Sequence, residues 1–158
     1  MRTLYPSLII ATPLRVSLEL QASATAIVGS AFTRKRPTER FNGASPLLRR
    51  AARQVTAYFA RRLDRFDVPL EFEGTPFQRT VWEIVSGLHF GEIVSYRDVA
   101  YAAGKPNAYR AVAAAMTRSP LDLLIPAHRV VGSDGTVRGA AAGSTRRKLL
   151  AFEGIRLH

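Results

Sequence analysis

The sequence predicts an α+β protein: a small α/β N-terminal domain with an antiparallel sheet over residues 1–73, then a mostly helical domain over 74–158. Three observations predict it. The first thirty residues hold apolar runs of about five residues broken by turn formers, the signature of short strands. Later segments carry apolar residues at helical spacing behind Ser-Pro, Thr-Pro or Ser caps. Between them the polar, glycine-containing stretch Glu71–Thr75 marks a boundary.

Ser7–Ala11, Arg15–Leu20 and Thr25–Gly29 read as strands. Phe66, Val68, Leu70 and Phe72 alternate with polar or small neighbours and predict another. Thr33–Gly43 is polar, basic and poor in apolar residues, so a mobile loop is expected. Ser45 and Pro46 supply an N-cap and first-turn proline for a helix with Leu48, Ala52, Val55 and Phe59 on one face. Arg49, Arg50, Arg53 and Arg61 fall largely off that face. Thr75-Pro76 opens a second helix lined by Phe77, Val81, Trp82, Val85 and Leu88, with Gly91 ending it. Ser95 caps a short helix, Tyr96–Ala103, stopped by Gly104-Lys105-Pro106. The next helix buries Ala108, Ala111, Val112, Ala115 and Met116 and leaves Asn107, Tyr109, Arg110, Ala113 and Ala114 on or near the other side. Two short helices joined by a tight glycine turn match a helix-turn-helix of winged-helix-like type. No internal repeat or low-complexity tract is present.

A chain of 158 residues can bury roughly two-thirds of its unfolded surface and needs no covalent staples. It contains no cysteine, which excludes disulfides and Cys-based zinc sites, and fits a reducing, cytoplasmic setting. His89, His128 and His158 lack metal-ligand spacing, so no metal and no cofactor are expected. Pro6, Pro13 and Arg15 interrupt the apolar Leu8-Ile9-Ile10 before a signal or membrane-span length is reached, so the expectation is a soluble monomer without a membrane partner. The formal charge is +11, and all but three of the 23 basic residues are arginine, which favours bidentate contact with phosphate. Twelve basic residues face six acidic ones over 1–73, and eleven face six over 74–158, so charge alone does not locate a polyanion-binding face. A solubilising arginine-rich surface has the same composition.

The most informative segment is Ile125-Pro126-Ala127-His128-Arg129-Val130-Val131. Taken alone it reads as a buried strand ending in a loop, with His128 an ordinary buried histidine. Its surroundings are more specific. Gly74-Thr75-Pro76-Phe77-Gln78, Trp82, Gly91-Glu92, Val94-Ser95-Tyr96, Arg110-Ala111-Val112, Ala115-Met116 and Glu153-Gly154 stand with it in a fixed order. In that order and spacing the chain resembles the O6-alkylguanine-DNA alkyltransferases, the methylated-DNA–protein-cysteine methyltransferases, continuously from Gly74 to Gly154. Pro46-Leu47-Leu48 and Phe66–Leu70 resemble the family's smaller, more variable domain. The resemblance implies a ribonuclease H-like N-terminal domain beside a DNA-binding alkyltransferase-type domain.

That family reads Pro-Cys-His-Arg-Val at the heptapeptide, and its cysteine sulfur takes the alkyl group from a damaged guanine and keeps it. Here the residue is Ala127. Alkyl transfer needs an activated thiolate, a methyl side chain has no lone pair, and Met1 and Met116 are poor substitutes, so transfer by the family's route is excluded. The resemblance assigns His128 and Glu153 to the relay that deprotonates the missing cysteine through a water, Glu153 orienting the imidazole. Arg129 is taken as structural. Arg110 matches the arginine that fills the gap left by a flipped nucleotide, and Tyr96 the tyrosine that crowds the neighbouring phosphate. The plainer alternatives are a solvated helix arginine and a half-buried first-turn tyrosine. Asn107, Ala108, Tyr109 and Ala111 complete the DNA-facing set. Pro126, Ala127, Val130, Val131, Arg138, Gly139 and Ala140 are assigned to the lesion pocket.

Further departures accompany Ala127. Ser119 stands at the hinge where the family usually has asparagine, offering fewer hydrogen bonds between helix and strand. Ala113-Ala114 replace a glycine-rich stretch, and Tyr109 replaces a small residue that lets the helix press into the minor groove. The loop Arg138–Gly143 lacks the usual tyrosine. Three readings follow. One is a non-catalytic, alkyltransferase-like protein that binds O6-alkylguanine in double-stranded DNA by minor-groove contact and nucleotide flipping. In that branch of the family the cysteine is usually tryptophan, and nucleotide excision repair proteins are the implied partners; an alanine makes room for bulkier adducts but gives up aromatic stacking. The second is a methyltransferase whose nucleophile was replaced, which a Cys codon at 127 would reveal. The third is a degenerate paralogue that binds DNA without lesion preference.

Overall fold

Ser7–Ala11 (β1), Ser17–Ala22 (β2) and Ile27–Thr33 (β3) form an antiparallel sheet in the order β1-β2-β3. Its register sets Leu8 opposite Leu20 and Ile10 opposite Leu18, so four buried aliphatics gather on one face. The helix Pro46–Phe59 (α1) packs against this sheet through Leu48, Ala51, Ala52, Val55 and Tyr58. Each of the larger apolar side chains contributes about 1.5–3 kcal/mol of burial. Ser45 accepts a hydrogen bond from the Leu48 N–H and Pro46 occupies the first turn, as the Ser-Pro pair predicts.

The computed structural model describes residues 4–41, 43–137 and 144–156. The chain divides into two compact units, Met1–Phe72 and Glu73–His158. Among the described residues the fold is mixed α/β, with five α-helices and the small antiparallel sheet.

Several local expectations are corrected. The second strand starts at Ser17 rather than Arg15, because Arg15 takes a left-handed turn conformation, φ +64°. The third starts at Ile27, since Ser23 Oγ accepts from the Thr25 and Ala26 N–H groups and holds them in a turn. It runs on through Thr33, taking the head of the predicted loop into the sheet, and Thr38 is tied to β1 by hydrogen bonds in both directions with Ile9. Phe66–Phe72 is not a strand. It makes one parallel bridge, Leu70 to Ile27, and Pro69 has no N–H with which to extend a ladder. In α1 the buried aromatic is Tyr58, with Phe59 at the margin of the stripe.

The second unit begins at a glycine that the packing requires. A Cβ on Gly74 would lie 2.6 Å from the Trp82 ring. Pro76–Ser86 (α2) follows, closed at its start by a reciprocal Thr75/Gln78 capping box. It ends at Gly87, not Gly91, and Phe77 is only half-buried while Val81, Trp82 and Val85 form the core face. The Trp82 indole N–H donates to the Ala115 carbonyl at 3.0 Å, tying α2 to Tyr109–Thr117 (α4). Between them lie Val94–Ser95 (β4) and Tyr96–Ala102 (α3), the latter capped by a Ser95/Asp98 box. A turn through Gly104, φ +78°, joins α3 to α4. The core stripe of α4 is Val112, Ala115 and Met116. Ala111 is exposed and Ala108 half-buried, so the observed stripe is narrower than the spacing predicts and turned away from those two. The heptapeptide is not a continuous strand: Ile125 makes an isolated bridge to Asp122, Ala127–Arg129 form a 3-10 turn, and Val130–Val131 (β5) pair parallel to β4. Thr145–Phe152 (α5) packs against that turn.

Candidate functional site

Parallel pairing of Val94 with Val130 and Ser95 with Val131 brings the start of α3 beside the end of the 3-10 turn. The approach to the turn is constrained. Leu123 is buried with φ +70°, a conformation that a branched residue holds only under tertiary restraint. The Ala127 N–H then bonds the Ile125 carbonyl at 2.7 Å and the Arg129 N–H bonds Pro126 at 2.9 Å. Pro126, Ala127, Val130 and Val131 are all buried, and Val131 packs with Val137, Leu150 and Ile155. Arg138, Gly139 and Ala140, also assigned to the lesion pocket, lie outside the described residues.

Next to Ala127 in the chain, the turn carries a buried ionic cluster. Glu153, at the C-cap of α5, accepts hydrogen bonds from the Gly91 N–H at 2.7 Å, Arg129 Nε at 2.9 Å, Arg129 Nη2 at 3.1 Å and His128 Nε2 at 2.5 Å. Arg129 Nη1 donates to the Leu88 carbonyl at 2.8 Å. The side chains of His128, Arg129 and Glu153 are 1%, 3% and 0% exposed, so the charges are almost fully desolvated and depend on this bidentate, fully hydrogen-bonded geometry. Sequence reasoning placed His128 and Glu153 together and passed over the contributions of Arg129, Leu88 and Gly91. The signal for Gly91 was its glycine, which marks a left-handed turn, φ +79°, aimed at the carboxylate rather than a helix end.

Burial holds the His128 imidazole below its ordinary value of 6.5, against the opposing pull of Glu153, and the Arg129 and Arg146 guanidiniums add to the lowering. Glu153 is already compensated by Arg129 and the Gly91 N–H, so burial prevails and the ring is neutral near pH 7. With Nε2–H directed at Glu153, Nδ1 is left as an acceptor. The consequence for stability has a definite sign. The unfolded chain takes up the proton first as pH falls, so the contribution of this site is complete above pH 6.5 and is lost progressively below it, toward the folded-state value. The Tm should fall between roughly pH 7 and pH 5, and the fall should shrink in His128→Asn. Equal pH slopes in the two proteins would contradict this assignment.

The free face of α4 carries the second group of candidate residues. Asn107, Arg110 and Ala111 are exposed, and Arg110, Ala113, Ala114 and Thr117 line an open groove of about 410 Å³. Ala108 provides no side-chain cap, and the first turn holds no acid. Tyr96 is buried at 7% exposure and is one of the residues lining a separate cleft. Tyr109 is half-buried rather than free, with the Arg97 guanidinium 4.2 Å from its ring centre. Ser119 stands after α4, and its buried Oγ has no hydrogen-bond partner among the described residues, a cost of about 1–3 kcal/mol. The end of α4 is held instead by Arg146 of α5, which donates to the Met116 carbonyl, a tie that no sequence pattern indicated. Among the described residues no group of three His, Cys, Asp or Glu side chains could hold a metal ion, and no helix is long and apolar enough to cross a membrane.

Comparison with known proteins agrees with this anatomy. Residues 76–155 match the family 6-O-methylguanine DNA methyltransferase, DNA binding domain. The helical unit therefore corresponds to the DNA-binding domain of that family. The methylated-DNA–protein-cysteine methyltransferase of Methanosarcina barkeri is 46% identical over 102 residues, 65% of this chain and 65% of that protein, just under two-thirds of its length. The constitutive enzyme of that name from Bacillus subtilis is 41% identical over 113 residues, covering 70% and 68% of the two chains. The crystal structure of Mycobacterium tuberculosis O6-methylguanine methyltransferase is similar with a TM-score of 0.79 at 31% identity, over 95% of this chain and 93% of that one. That of the M. tuberculosis protein in complex with DNA gives 0.77 at 30% identity, over 94% and 92%. The chain belongs to the O6-methylguanine-DNA methyltransferase family.

Proposed function

We propose that this protein recognises O6-alkylguanine in double-stranded DNA without removing the alkyl group. The α3–turn–α4 pair acts as a helix-turn-helix in the minor groove, Arg110 occupies the place of the flipped nucleotide, and Tyr96 crowds the adjacent phosphate. The observation that carries the reading is the make-up of the turn Ala127–Arg129. Its supporting cluster of His128, Arg129, Glu153 and Gly91 is fully hydrogen-bonded, while the position of the reacting atom holds only a methyl group. A site kept in folding order but stripped of its nucleophile suits binding and not transfer. DNA as partner is supported by the family, by the arginine excess, and by the M. tuberculosis relative crystallised with DNA. Nucleotide excision repair proteins are the partners this reading implies, and a monomer in the cytoplasm its setting.

The intact His128–Glu153 contact also favours a second reading, a methylated-DNA–protein-cysteine methyltransferase whose cysteine was replaced by Ala127. A cysteine codon at position 127 of the gene decides for it. The test of the first reading is Arg110→Ala. Binding to lesion DNA should weaken by a few kcal/mol at most, the scale of unstacking one base, and the signal of a fluorescent base analogue at the flipped position should vanish. Loss of a merely phosphate-facing arginine would weaken damaged and undamaged DNA alike and leave flipping detectable at saturation. If Arg110→Ala behaves in that second way, the helix is only an electrostatic platform.

A further inference from the structure

Tyr109 replaces the small residue expected at the start of the DNA-facing helix, and its ring does not project freely outward. It lies half-buried against Arg97 of α3, whose guanidinium carbon is 4.2 Å from the ring centre, while Arg110 stands further off at 6.0 Å. A cleft of about 320 Å³ opens beside this pair, lined by Tyr96, Arg97, Tyr109 and the turn Gly132–Thr136. We infer that the Arg97–Tyr109 stack and this cleft form a seat for one phosphodiester of the DNA strand, separate from the turn that carries Ala127. The inference rests on the DNA-binding reading above, in which Tyr96 already meets a phosphate, and adds Arg97 and Tyr109, to which that reading gives no such role.

The chemistry of the lining selects the ligand. Arg97 is exposed and has no ion pair among the described residues. The neighbouring acid, Asp98, is turned back onto the Ser95 N–H by the capping box at 2.9 Å and leaves Arg97 uncompensated. Asp134, also in the lining, accepts from the Thr136 N–H at 3.0 Å and the Thr136 hydroxyl at 2.5 Å through Oδ1, which fixes the turn beside the seat. Gly132 belongs to the same arrangement, since a Cβ there would lie 2.7 Å from Asp134 Oδ1. A guanidinium held over an aromatic face keeps its N–H groups available, and its planar fork can meet two phosphate oxygens at once. Part of the ordering cost of a long side chain is thereby met before DNA arrives. The volume accommodates a phosphate with its adjoining sugar. On this account Tyr109 does not hold the helix away from DNA; it converts a close backbone approach into a charged lateral contact.

The experiment is a neutral-phosphate scan with the full chain. Duplexes carrying O6-methylguanine receive one methylphosphonate at a time around the lesion, and affinities are measured for the unmodified chain, Arg97→Ala and Tyr109→Leu at one salt concentration. The unmodified chain should lose about ten-fold at one position, the scale of a charge-assisted contact. Arg97→Ala should lose a similar factor on natural DNA and become insensitive to the methylphosphonate at that position alone. Tyr109→Leu, which removes the ring face, should reduce the same position-specific coupling. If Arg97→Ala remains as sensitive as the unmodified chain at every position, the seat is wrong while lesion binding and flipping by the unmodified chain still stand. Failure of the unmodified chain to bind any of the duplexes overturns the DNA-binding reading and the seat with it.

Discussion

Ala127→Cys should convert a protein that accepts no alkyl group into one that takes up label stoichiometrically from O6-methylguanine DNA, if slowly. The new sulfur would stand on the turn Ala127–Arg129, whose supports are already in place. His128 follows it directly in the chain, is held neutral by burial, and has Nε2 committed to Glu153, so its other nitrogen can accept a proton. The starting protein offers no thiol anywhere in its sequence, so its own labelling should stay at background. The assay is radiolabel or mass transferred to the polypeptide. Stoichiometric label on the unmodified protein would contradict the account outright. A folded Ala127→Cys protein that takes up none would show that Ser119, the segment Arg138–Gly143 or the altered helix α4 has disabled the site as well.

The largest loss of stability is expected from Glu153→Ala. Glu153 neutralises Arg129, orients His128 and receives the Gly91 N–H, and its side chain is fully buried. Removing it leaves a desolvated guanidinium without a counter-charge, which costs about 3–5 kcal/mol. Replacing both partners by apolar residues, Glu153→Leu with Arg129→Met, should cost less than the sum of the single changes, because no orphaned charge remains. The pair Arg50–Asp67 is a useful contrast. Its 2.9 Å contact is as short, yet both side chains are well exposed. Arg50→Ala should therefore change stability little, even though Gln54 and Arg50 hold the Asp67 carboxyl below its ordinary range. Urea unfolding of the three sets separates these cases.

What could be read from the sequence was what local chemistry determines. Ser45-Pro46, Thr75-Pro76 and Ser95 read as helix caps, and all three are observed, the latter two closed into capping boxes by Gln78 and Asp98, partners not read from the sequence. Alternation at Phe66–Phe72 misled because it reports a half-buried segment and not a partner strand, and Pro69 limits pairing to a single bridge. Helical spacing identified α4 but not its orientation, since a run of alanines reads alike from several sides. Ala111 is therefore exposed, as is Arg110 beside it. At the site, His128 and Glu153 were legible through the resemblance. The bidentate Arg129, the Leu88 carbonyl, the Gly91 N–H and the Arg146 tie to Met116 were not, because each joins residues distant in the chain through side-chain geometry.

The central claim, recognition of O6-alkylguanine in DNA without transfer, is tested most directly by equilibrium titration of the unmodified chain. Three duplexes identical except for one base, guanine, O6-methylguanine or a bulkier O6-alkylguanine, are compared at a single stated salt concentration, since phosphate attraction alone changes steeply with salt. The account predicts tighter binding to both lesion duplexes than to the guanine duplex, with the protein recovered unalkylated. Equal affinity for all three would contradict it and leave a family member that binds DNA through charge alone.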